Sequence, residues 1–410
     1  MSDRMIDLLI ISPTPTHPAN AGNRARIRAL LECFEESGVD FHFAFFRQED
    51  GDEKAMAARW GADRCSFLDF RRPEREYSLG QRLRNKLCRL AGRPSSIPYR
   101  IDDWCGPRLI DAVRELAERQ RPGCVMVEYV FFSKLFDCFS EGVYKVLDTH
   151  DIVSDRDKMF SDRGWNPEWF YTTRGQEAVG INRADCVIAI QSGEAAHFRG
   201  MTSVPVVTVG HIVELRPPVV PITPVPTVMF LGSGNTVNQE ALKYLLEEIW
   251  PSIRAAVPNA VLEVYGAICK FAGTPAAGVS LMGGVNDLTA AYGRAWVVVS
   301  PLRMGTGLKI KSIEALGLGK ALVSAPAGYT GLEDGLGTAY LPGDLPSEFI
   351  ENCVNLLCDA PARKSLEASA YDFASRWNER QRDELLRVLE MGGATREPKA
   401  TRPRNGGRPN

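Results

Sequence analysis

The chain has 410 residues, of which 44% are hydrophobic and 24% are charged, and its formal net charge is −2. At roughly 150 residues per domain, this length predicts two to three domains with separate cores. The balanced charge argues against a nucleic-acid-binding protein, and no apolar run approaches the ~18 residues of a membrane span. The ten cysteines form no C-x-x-C pair, which argues against a zinc cluster or a disulfide scaffold and predicts a cytoplasmic protein with reduced thiols.

The first half of the chain alternates between predicted strands and helices. Residues 5–11 form a short apolar run that ends in a proline-rich loop, which is typical of a buried strand rather than a secretion signal. Residues 25–38 carry apolar side chains at helical spacing, and residues 39–46 alternate as a second strand. Further strands are predicted at 123–130, 144–147 and 185–190. This order predicts a doubly wound parallel α/β sheet.

A proline-rich segment separates the two halves, because residues 212–227 contain five prolines and can form neither a helix interior nor a central strand. The α/β pattern then restarts, with strands at 227–231, 260–265, 296–300 and 321–324 and helices at 238–257 and 308–318. Pro251 is expected to kink or interrupt the first of these helices. We therefore predict the following division: a domain at 1–211, a linker at 212–226, a domain at 227–391 whose last helix can return to the first domain, and a disordered basic tail at 392–410.

The most informative segment is residues 296–320, where a predicted strand runs into a glycine-rich loop and then a helix. Gly305 and Gly307 allow close approach of a ligand to the backbone, and the N-terminus of the following helix favours a phosphate. Glu314, two turns into the helix, is placed to accept hydrogen bonds from ribose hydroxyls. Three cations surround the loop: Arg303, Lys309 and Lys311. The structural alternative is an ordinary turn with Thr306 as the N-cap and Lys311 and Glu314 as a surface pair.

This segment resembles the family-4 retaining glycosyltransferases, and the resemblance extends over roughly residues 6–385. Its most specific part is the run Pro301-Leu302-Arg303-x-Gly305-Thr306-Gly307-Leu308-Lys309-Ile310-Lys311, with Glu314 and Lys320 and the later Gly331-Leu332. Residues 184–190, 230–238 and 284–288 support it. The resemblance implies a GT-B fold, in which two Rossmann-like doubly wound parallel-sheet domains face a central cleft and the second domain binds a nucleotide-sugar.

The resemblance also implies roles for individual residues. Glu314 would hold the ribose, Val285 would lie near the base, and the glycine loop with Lys309 would hold the diphosphate and the sugar. Lys309 and the helix-end amides would stabilise the leaving diphosphate during transfer. The donor-binding residues implied in the second domain are Gly232, Ser233, Asn238, Val285, Arg303, Gly305, Thr306, Gly307, Leu308, Lys311 and Glu314. The predicted catalytic residues are Lys309, His150 and Asp151.

Two departures from the family pattern affect the donor site. The first of two spaced glutamates is replaced by Thr306, so that backbone N–H groups of the glycine loop are expected to take over its hydrogen bonds. The Arg or Lys that many members place after the first strand of the second domain is also missing, because Gly232-Ser233-Gly234-Asn235 stands there. The phosphate charge then falls on Arg303, Lys309 or Lys311, and the identity of the donor stays open.

The first domain contributes two candidate loops. Gly22 and Asn23 lie in a loop that matches the family's glycine loop beside the donor phosphates and the acceptor, although a bare turn would look the same. His150 and Asp151 follow a predicted strand, where open α/β sheets bind ligands, and are predicted to touch the acceptor or the donor sugar. A capped polar turn is the alternative. A metal site that includes Asp148 is disfavoured because adjacent side chains diverge. Weaker histidine candidates are His17 and His211.

The predicted activity is transfer of a sugar from a nucleoside diphosphate to a glycan or lipid-linked acceptor hydroxyl, with retention of anomeric configuration and without a metal or other cofactor. The resemblance places such an activity in bacterial polysaccharide, lipopolysaccharide or glycolipid biosynthesis. Two alternatives stay open. One is a nucleotide-sugar epimerase or a phosphorylase on a similar fold, and the other is a silent protein that binds a nucleotide-sugar or a glycan, for which Thr306 is the best argument.

A basic segment adds a prediction about location. Residues 71–100 hold nine arginines and lysines and only two glutamates. Within residues 78–91 four leucines share one helical stripe, which is typical of a helix that lies on an anionic membrane surface. These leucines are Leu79, Leu83, Leu87 and Leu90. A cytoplasmic protein bound at the inner face of the membrane is one interpretation. The other is that the leucines pack on the first domain and the cations are solvated.

Overall fold

The computed structural model describes residues 7–75, 78–90, 97–218, 221–285 and 288–393, without the side chains of residues 82, 84, 85 and 89. The first half forms a parallel sheet of seven strands in the order β3-β2-β1-β4-β5-β6-β7. These strands are β1 (Leu8–Ser12), β2 (Phe41–Phe46), β3 (Cys65–Leu68), β4 (Cys124–Glu128), β5 (Tyr144–Asp148), β6 (Cys186–Ala189) and β7 (Val206–Thr208). The helices are α1 (Gly22–Glu36), α2 (Glu53–Trp60), α3 (Leu79–Leu90), α4 (Pro107–Gln120), α5 (Arg156–Ser161), α6 (Arg174–Ile181) and α7 (Ser192–Arg199).

The second half forms a sheet of six strands in the order β10-β9-β8-β11-β12-β13, again with parallel neighbours. Its strands are β8 (Thr227–Leu231), β9 (Val261–Tyr265), β10 (Val279–Gly283), β11 (Val297–Ser300), β12 (Ala321–Ser324) and β13 (Leu341–Pro342). Its helices are α8 (Thr236–Tyr244), α9 (Trp250–Ala256), α10 (Leu288–Arg294), α11 (Ile310–Gly317), α12 (Pro346–Cys358) and α13 (Ala360–Met391). The prediction of two Rossmann-like parallel-sheet domains is confirmed.

Burial on both faces explains the composition of the central strands. All five residues of β1 and all six of β2 are buried, since helices cover both sides of a parallel sheet. The prediction that residues 39–46 alternate between core and solvent was therefore wrong in detail. The strand begins at Phe41, and its phenylalanines fill the cores on both sides.

Pro251 interrupts its helix, as predicted. A π-helical turn (Leu245–Ile249) follows α8, and α9 begins at Trp250 with Pro251 in its first turn. A proline has no N–H to donate to the carbonyl four residues earlier, so the regular ladder cannot pass through this point. The change of pitch keeps Leu245, Ile249 and Ile253 in the core of the second domain.

The last helix, α13, joins the two halves. Ala370, Phe373 and Ala374 pack in the core of the second domain, whereas Leu385 and Val388 pack with strands of the first sheet. Residues 210–213, at the start of the linker, are held along the same helix by hydrogen bonds with Trp377, Asn378 and Gln381. Residues 394–410 of the basic tail lie outside the described residues, as do residues 219–220 of the linker. None of the described helices combines the length and the apolar character of a membrane span.

The strand order reverses once in each sheet, between β1 and β4 and between β8 and β11. At such a switch point the loops that leave neighbouring strands diverge and open a crevice at the carboxyl ends of the strands. The loop after β1 leads into α1 in the first domain, and the loops after β8 and β11 lead into α8 and α11 in the second. These crevices contain most of the residues that the sequence pattern singled out.

Candidate active site

The N-termini of two helices meet across the interface between the domains. A Cβ added to Gly22, the first residue of α1, would lie 3.2 Å from Cδ1 of Ile310, the first residue of α11. Neither N-cap residue, Ala21 or Lys309, caps its helix with a side-chain hydrogen bond. First-turn N–H groups and the positive ends of two helix dipoles are thus directed towards one region. Such an arrangement favours an anion.

The glycine loop before α11 needs its glycines. Gly305 has φ 129° and Gly307 has φ 72°, and both values lie in the region that only glycine adopts without strain. A Cβ at Gly307 would also lie 2.4 Å from Oδ1 of Asp151 in the first domain. The loop is therefore shaped so that a carboxylate of the opposite domain can touch its backbone.

Lys309 lies across this loop. Its Nζ donates hydrogen bonds to the carbonyl oxygens of Thr306 and, at 3.1 Å, of Gly307. Burial lowers its pKa, against the opposing influence of Asp151 and Glu194. Thr306 does not cap α11, because the N-cap position belongs to Lys309, and the alternative of an ordinary Thr-capped turn was wrong. The adjacent Leu308 is buried.

Glu314 lies beside the start of the linker between the domains. Its Oε1 is 3.8 Å from Nε2 of His211, which is buried and whose Nδ1 has no hydrogen-bond partner among the described residues. Tyr292 is buried nearby, and both its burial and the Glu314 charge raise its pKa. Burial lowers the pKa of Lys311 to about 8, while Glu314 opposes the shift. His211, a weak candidate from the sequence, thus lies next to the predicted ribose ligand.

The loop after β8 holds the other predicted donor residues. Asn238 donates from its side chain to Ser233 Oγ at 2.9 Å, and its backbone N–H is capped by Asn235. A Cβ at Gly232 would approach Ile268 to 3.0 Å, so only glycine fits there comfortably. Val285 packs half-buried at the edge of the second core, while Asp287 lies outside the described residues.

Arg303 is held by side chains of α8 and of the turn that follows it. Its guanidinium pairs with Glu240, lies 3.7 Å from Glu248, and stacks 4.1 Å above the ring of Tyr244. All three partners belong to α8 or the turn that follows it. In this arrangement Lys309 and Lys311 remain as the cations of the predicted set near the start of α11.

In the first domain, a buried cluster of charges supports His150. The guanidinium of Arg26 on α1 donates to both carboxylate oxygens of Asp148, at 3.1 and 3.0 Å, and both side chains are fully buried. His150 is hydrogen-bonded through Nε2 to Glu128, and its ring stacks on Tyr129 with centroids 4.1 Å apart. Asn23 donates to the Tyr129 hydroxyl at 3.2 Å. The cluster links α1, β4 and β5 into one support.

Backbone strain marks the same place. His150 has φ 62° and Tyr129 has φ 70°, values that cost a non-glycine residue energy and that persist only where the surroundings enforce them. Ligand atoms of Glu128, Asp148 and His150 lie within 4.8 Å of one another, which would suit a metal ion. However, the guanidinium of Arg26 already supplies positive charge to Asp148, so we interpret Glu128 and Asp148 as groups that support His150.

Asp151 diverges from its neighbours, as the sequence analysis expected. Its carboxylate pairs with Arg156 at 3.0 Å and faces Gly307. Beside it lies Glu194 of α7, which is fully buried and which no sequence motif singled out. Its Oε1 accepts a hydrogen bond from the Ile152 backbone at 3.3 Å, whereas Oε2 has no partner in the described part of the chain. Burial, and then the charge of Asp151, raise the pKa of Glu194 to about 8.

Comparisons with known proteins define the class of fold. Sucrose-phosphate synthase from Thermosynechococcus elongatus superimposes with a TM-score of 0.65 at 14% identity, over 94% of this chain and 99% of that chain. The pneumococcal O-GlcNAc transferase GtfA, in complex with UDP and GlcNAc, gives 0.62 at 11% identity, over 95% and 99%. A putative UDP-N-acetylglucosamine 2-epimerase from Listeria monocytogenes gives 0.57 at 11% identity, over 97% and 99%. The chain therefore has the GT-B fold, as predicted.

The sequence itself is similar to one family. Residues 225–359, which include α11 and the glycine loop, match the family model described as glycosyl transferases group 1. No curated protein matches the sequence. The matched region is the one that carries Glu314, Lys309 and Lys311.

Proposed function

We propose that this protein is a retaining glycosyltransferase that moves a sugar from a nucleoside diphosphate to an acceptor hydroxyl. One observation carries the proposal: the uncapped N-termini of α1 and α11 converge with the glycine loop at the interface of the two domains. A diphosphate between these helices would be stabilised by amides of both domains. The family match over residues 225–359 supports the same activity.

The second domain would hold the nucleotide part of the donor. Glu314, with His211 at 3.8 Å, would accept hydrogen bonds from the ribose, and Val285 would lie near the base. The diphosphate would lie at the start of α11, close to Lys309 and Lys311. The transferred sugar would then lie between the glycine loop and the first domain, within reach of His150 and Asp151.

The chemistry we propose is a front-face displacement. The bond between the anomeric carbon and the diphosphate oxygen breaks, and its electron pair goes to the diphosphate. The acceptor oxygen attacks from the same face, and its proton passes to the departing oxygen. Helix-end amides and Lys309 stabilise the growing charge more in the transition state than in the ground state. Contact between the domains excludes water and limits hydrolysis.

A transfer assay tests this proposal. Purified protein is incubated with UDP-, GDP-, ADP- and TDP-sugars and a set of glycan and lipid-linked acceptors, with and without EDTA. We expect an acceptor-dependent product with the anomeric configuration of the donor, and equal rates in EDTA, because helix ends and lysines supply the positive charge. The comparison with EDTA is needed because Asp-x-Asp triplets, whose carboxylates are of a type that binds metal ions, occur at 50–52 and 155–157. Activity that EDTA abolishes and manganese restores would contradict metal independence.

An epimerase is the second candidate, because the putative UDP-N-acetylglucosamine 2-epimerase has a similar fold. An epimerase would convert the sugar of the nucleotide-sugar without any acceptor, and NMR of the nucleotide-sugar after incubation would show this. A silent binding protein, for which Thr306 argues, would bind a donor without turnover. Product that forms only with an acceptor excludes both.

We further propose that α3 docks the enzyme on an anionic membrane, where a lipid-linked acceptor in bacterial polysaccharide, lipopolysaccharide or glycolipid biosynthesis would be found. Its four leucines are 84%, 59%, 58% and 76% exposed, so they do not pack on the first domain. They occupy one stripe of the helix, and residues 77–99 contain four arginines and one lysine but no acidic residue. Apolar side chains can enter the acyl boundary while cations meet anionic head groups.

Liposome sedimentation tests this docking. We expect salt-sensitive binding to vesicles that contain anionic lipid and little binding to neutral ones, since each cation near the surface contributes about 1 kcal/mol. Replacing Arg82, Arg84, Lys86 and Arg89 by Gln should abolish binding, as should Leu83→Ser with Leu87→Ser. Replacing the cations of the tail beyond residue 393 is the matched control. Protein that stays in the supernatant on anionic vesicles at low salt would overturn the proposal.

A further inference from the structure

Glu194 has an unusual environment for a buried carboxyl group. It is fully buried, yet Oε2 has no hydrogen-bond partner among the described residues, and Oε1 has only the Ile152 N–H at 3.3 Å. An unpaired buried polar group costs free energy and calls for an explanation. A nearby buried glutamate, Glu177, shows the usual arrangement, because both of its oxygens accept backbone hydrogen bonds from Val153 and Ser154.

The position of Glu194 on its helix does not account for its orientation. It is the third residue of α7, where a glutamate commonly bonds back to the N-cap residue. The structure instead directs Oε1 to the backbone of Ile152, in the loop after β5. The side chain thereby lies at the carboxyl ends of two neighbouring strands, β5 and β6, rather than serving its own helix.

The charged groups that face Glu194 belong to both domains. Asp151 and Arg156 come from the first domain, and Lys309 comes from the second. Oε1 lies 3.7 Å from the position that a Cβ on Gly307 would take. The carboxyl group is thus next to the glycine loop, at the interface between the two domains.

A diphosphate is not expected to bind at the carboxyl groups of Asp151 and Glu194, because the negative charge of Asp151 would repel it. A sugar hydroxyl fits this site, since it can donate a hydrogen bond to one carboxyl oxygen and accept one from a protonated carboxyl group. Burial and the charge of Asp151 raise the pKa of Glu194 to about 8. A carboxyl group whose pKa is raised in this way holds its proton more readily, and the protonated form can act as a donor as well as an acceptor.

We propose that Glu194 recognises the transferred sugar, with its free carboxyl oxygen hydrogen-bonded to one sugar hydroxyl. This inference rests on the proposed transferase function and names a specificity-determining residue in the same cleft. It assigns to the first domain a contact with the sugar that does not involve the nucleotide. Discrimination between sugars that differ at that hydroxyl then depends on Glu194.

The test is a cycle that combines Glu194→Ala with deletion of single sugar hydroxyls. Calorimetry gives the Kd of UDP, UDP-glucose and the 2-, 3-, 4- and 6-deoxy forms of UDP-glucose for each variant. If UDP-glucose does not bind, then GDP-mannose, ADP-glucose or TDP-glucose and their deoxy forms replace it. For the wild type, we expect the Kd of one deoxy nucleotide-sugar to be about tenfold higher than the Kd of the parent nucleotide-sugar. For Glu194→Ala, we expect these two Kd values to be equal. Affinity for the free nucleoside diphosphate should stay the same in both proteins.

Two variants separate recognition from support of the loop. Glu194→Gln keeps a donor and an acceptor and should restore most of the dependence on that hydroxyl. Glu177→Gln, a buried glutamate of the same domain, should leave the dependence of wild type unchanged. Equal weakening by every hydroxyl deletion in wild type and in Glu194→Ala would overturn the inference. Failure of wild type to bind any of the four nucleotide-sugars would instead overturn the proposed function on which it rests.

Discussion

Lys309→Ala is expected to lower kcat of transfer about a hundredfold while the Kd of the donor rises no more than about threefold. Negative charge on the diphosphate grows as the glycosidic bond breaks, and a cation at the start of α11 therefore contributes more to the transition state than to the ground state. Nζ donates hydrogen bonds to the carbonyl oxygens of Thr306 and Gly307. It can leave these for a phosphate of higher charge.

Because Lys309 also holds its own loop, the experiment needs controls. Steady-state kinetics and calorimetry on Lys309→Arg and Lys311→Ala, beside Lys309→Ala, separate the two roles. Loss of the loop support alone would weaken donor binding as much as turnover, whereas loss of the leaving-group cation affects turnover selectively. Wild-type activity in Lys309→Ala with an inactive Lys311→Ala would show that the choice of lysine is wrong.

Glu314→Ala is expected to weaken binding of the nucleoside diphosphate by about 1.5–3 kcal/mol, the range for hydrogen bonds to a charged group. The carboxylate is 22% exposed and its charged neighbours are His211 at 3.8 Å and Lys311, so its removal empties no fully buried position of the core. We therefore expect the thermal unfolding temperature of the ligand-free protein to change little.

Calorimetry with the free nucleoside diphosphate measures this effect without any catalytic step. Glu314→Gln is the matched control, since it keeps the shape and one acceptor but loses the charge, and it should show an intermediate Kd. An unchanged Kd in Glu314→Ala would show that Glu314 does not hold the ribose.

The alternation of strands and helices and the two parallel-sheet domains were predictable from the sequence, because apolar runs and glycine-rich turns depend on nearby residues. The position of Gly305 and Gly307 at a strand end followed from the same local pattern. Each domain could thus be assembled from segments that carry their own signal. A doubly wound sheet implies one reversal of strand order in each domain, but the strands β3, β7, β10 and β13 were not predicted.

Other parts of the site depend on contacts between distant residues and could not be predicted. Arg26 lies in an amphipathic helix, where an arginine is usually solvent-exposed, and its burial depends on Asp148 far along the chain. Arg303 was placed with the phosphate cations, but the acidic side chains of α8 and the turn after it hold its guanidinium. Glu194 meets Gly307 only because the two domains come together. No periodicity in one segment reports such contacts.

The central claim is that a nucleoside-diphosphate sugar binds between α1 and α11, and thermal-shift measurement with a donor panel tests it most directly. A ligand at about one hundred times its Kd stabilises a protein by about 2.7 kcal/mol. We predict that one nucleotide class among UDP-, GDP-, ADP- and TDP-sugars raises the unfolding temperature in EDTA, and that Glu314→Ala loses most of this rise. If none of the four classes changes the unfolding temperature at millimolar concentration, the claim is contradicted.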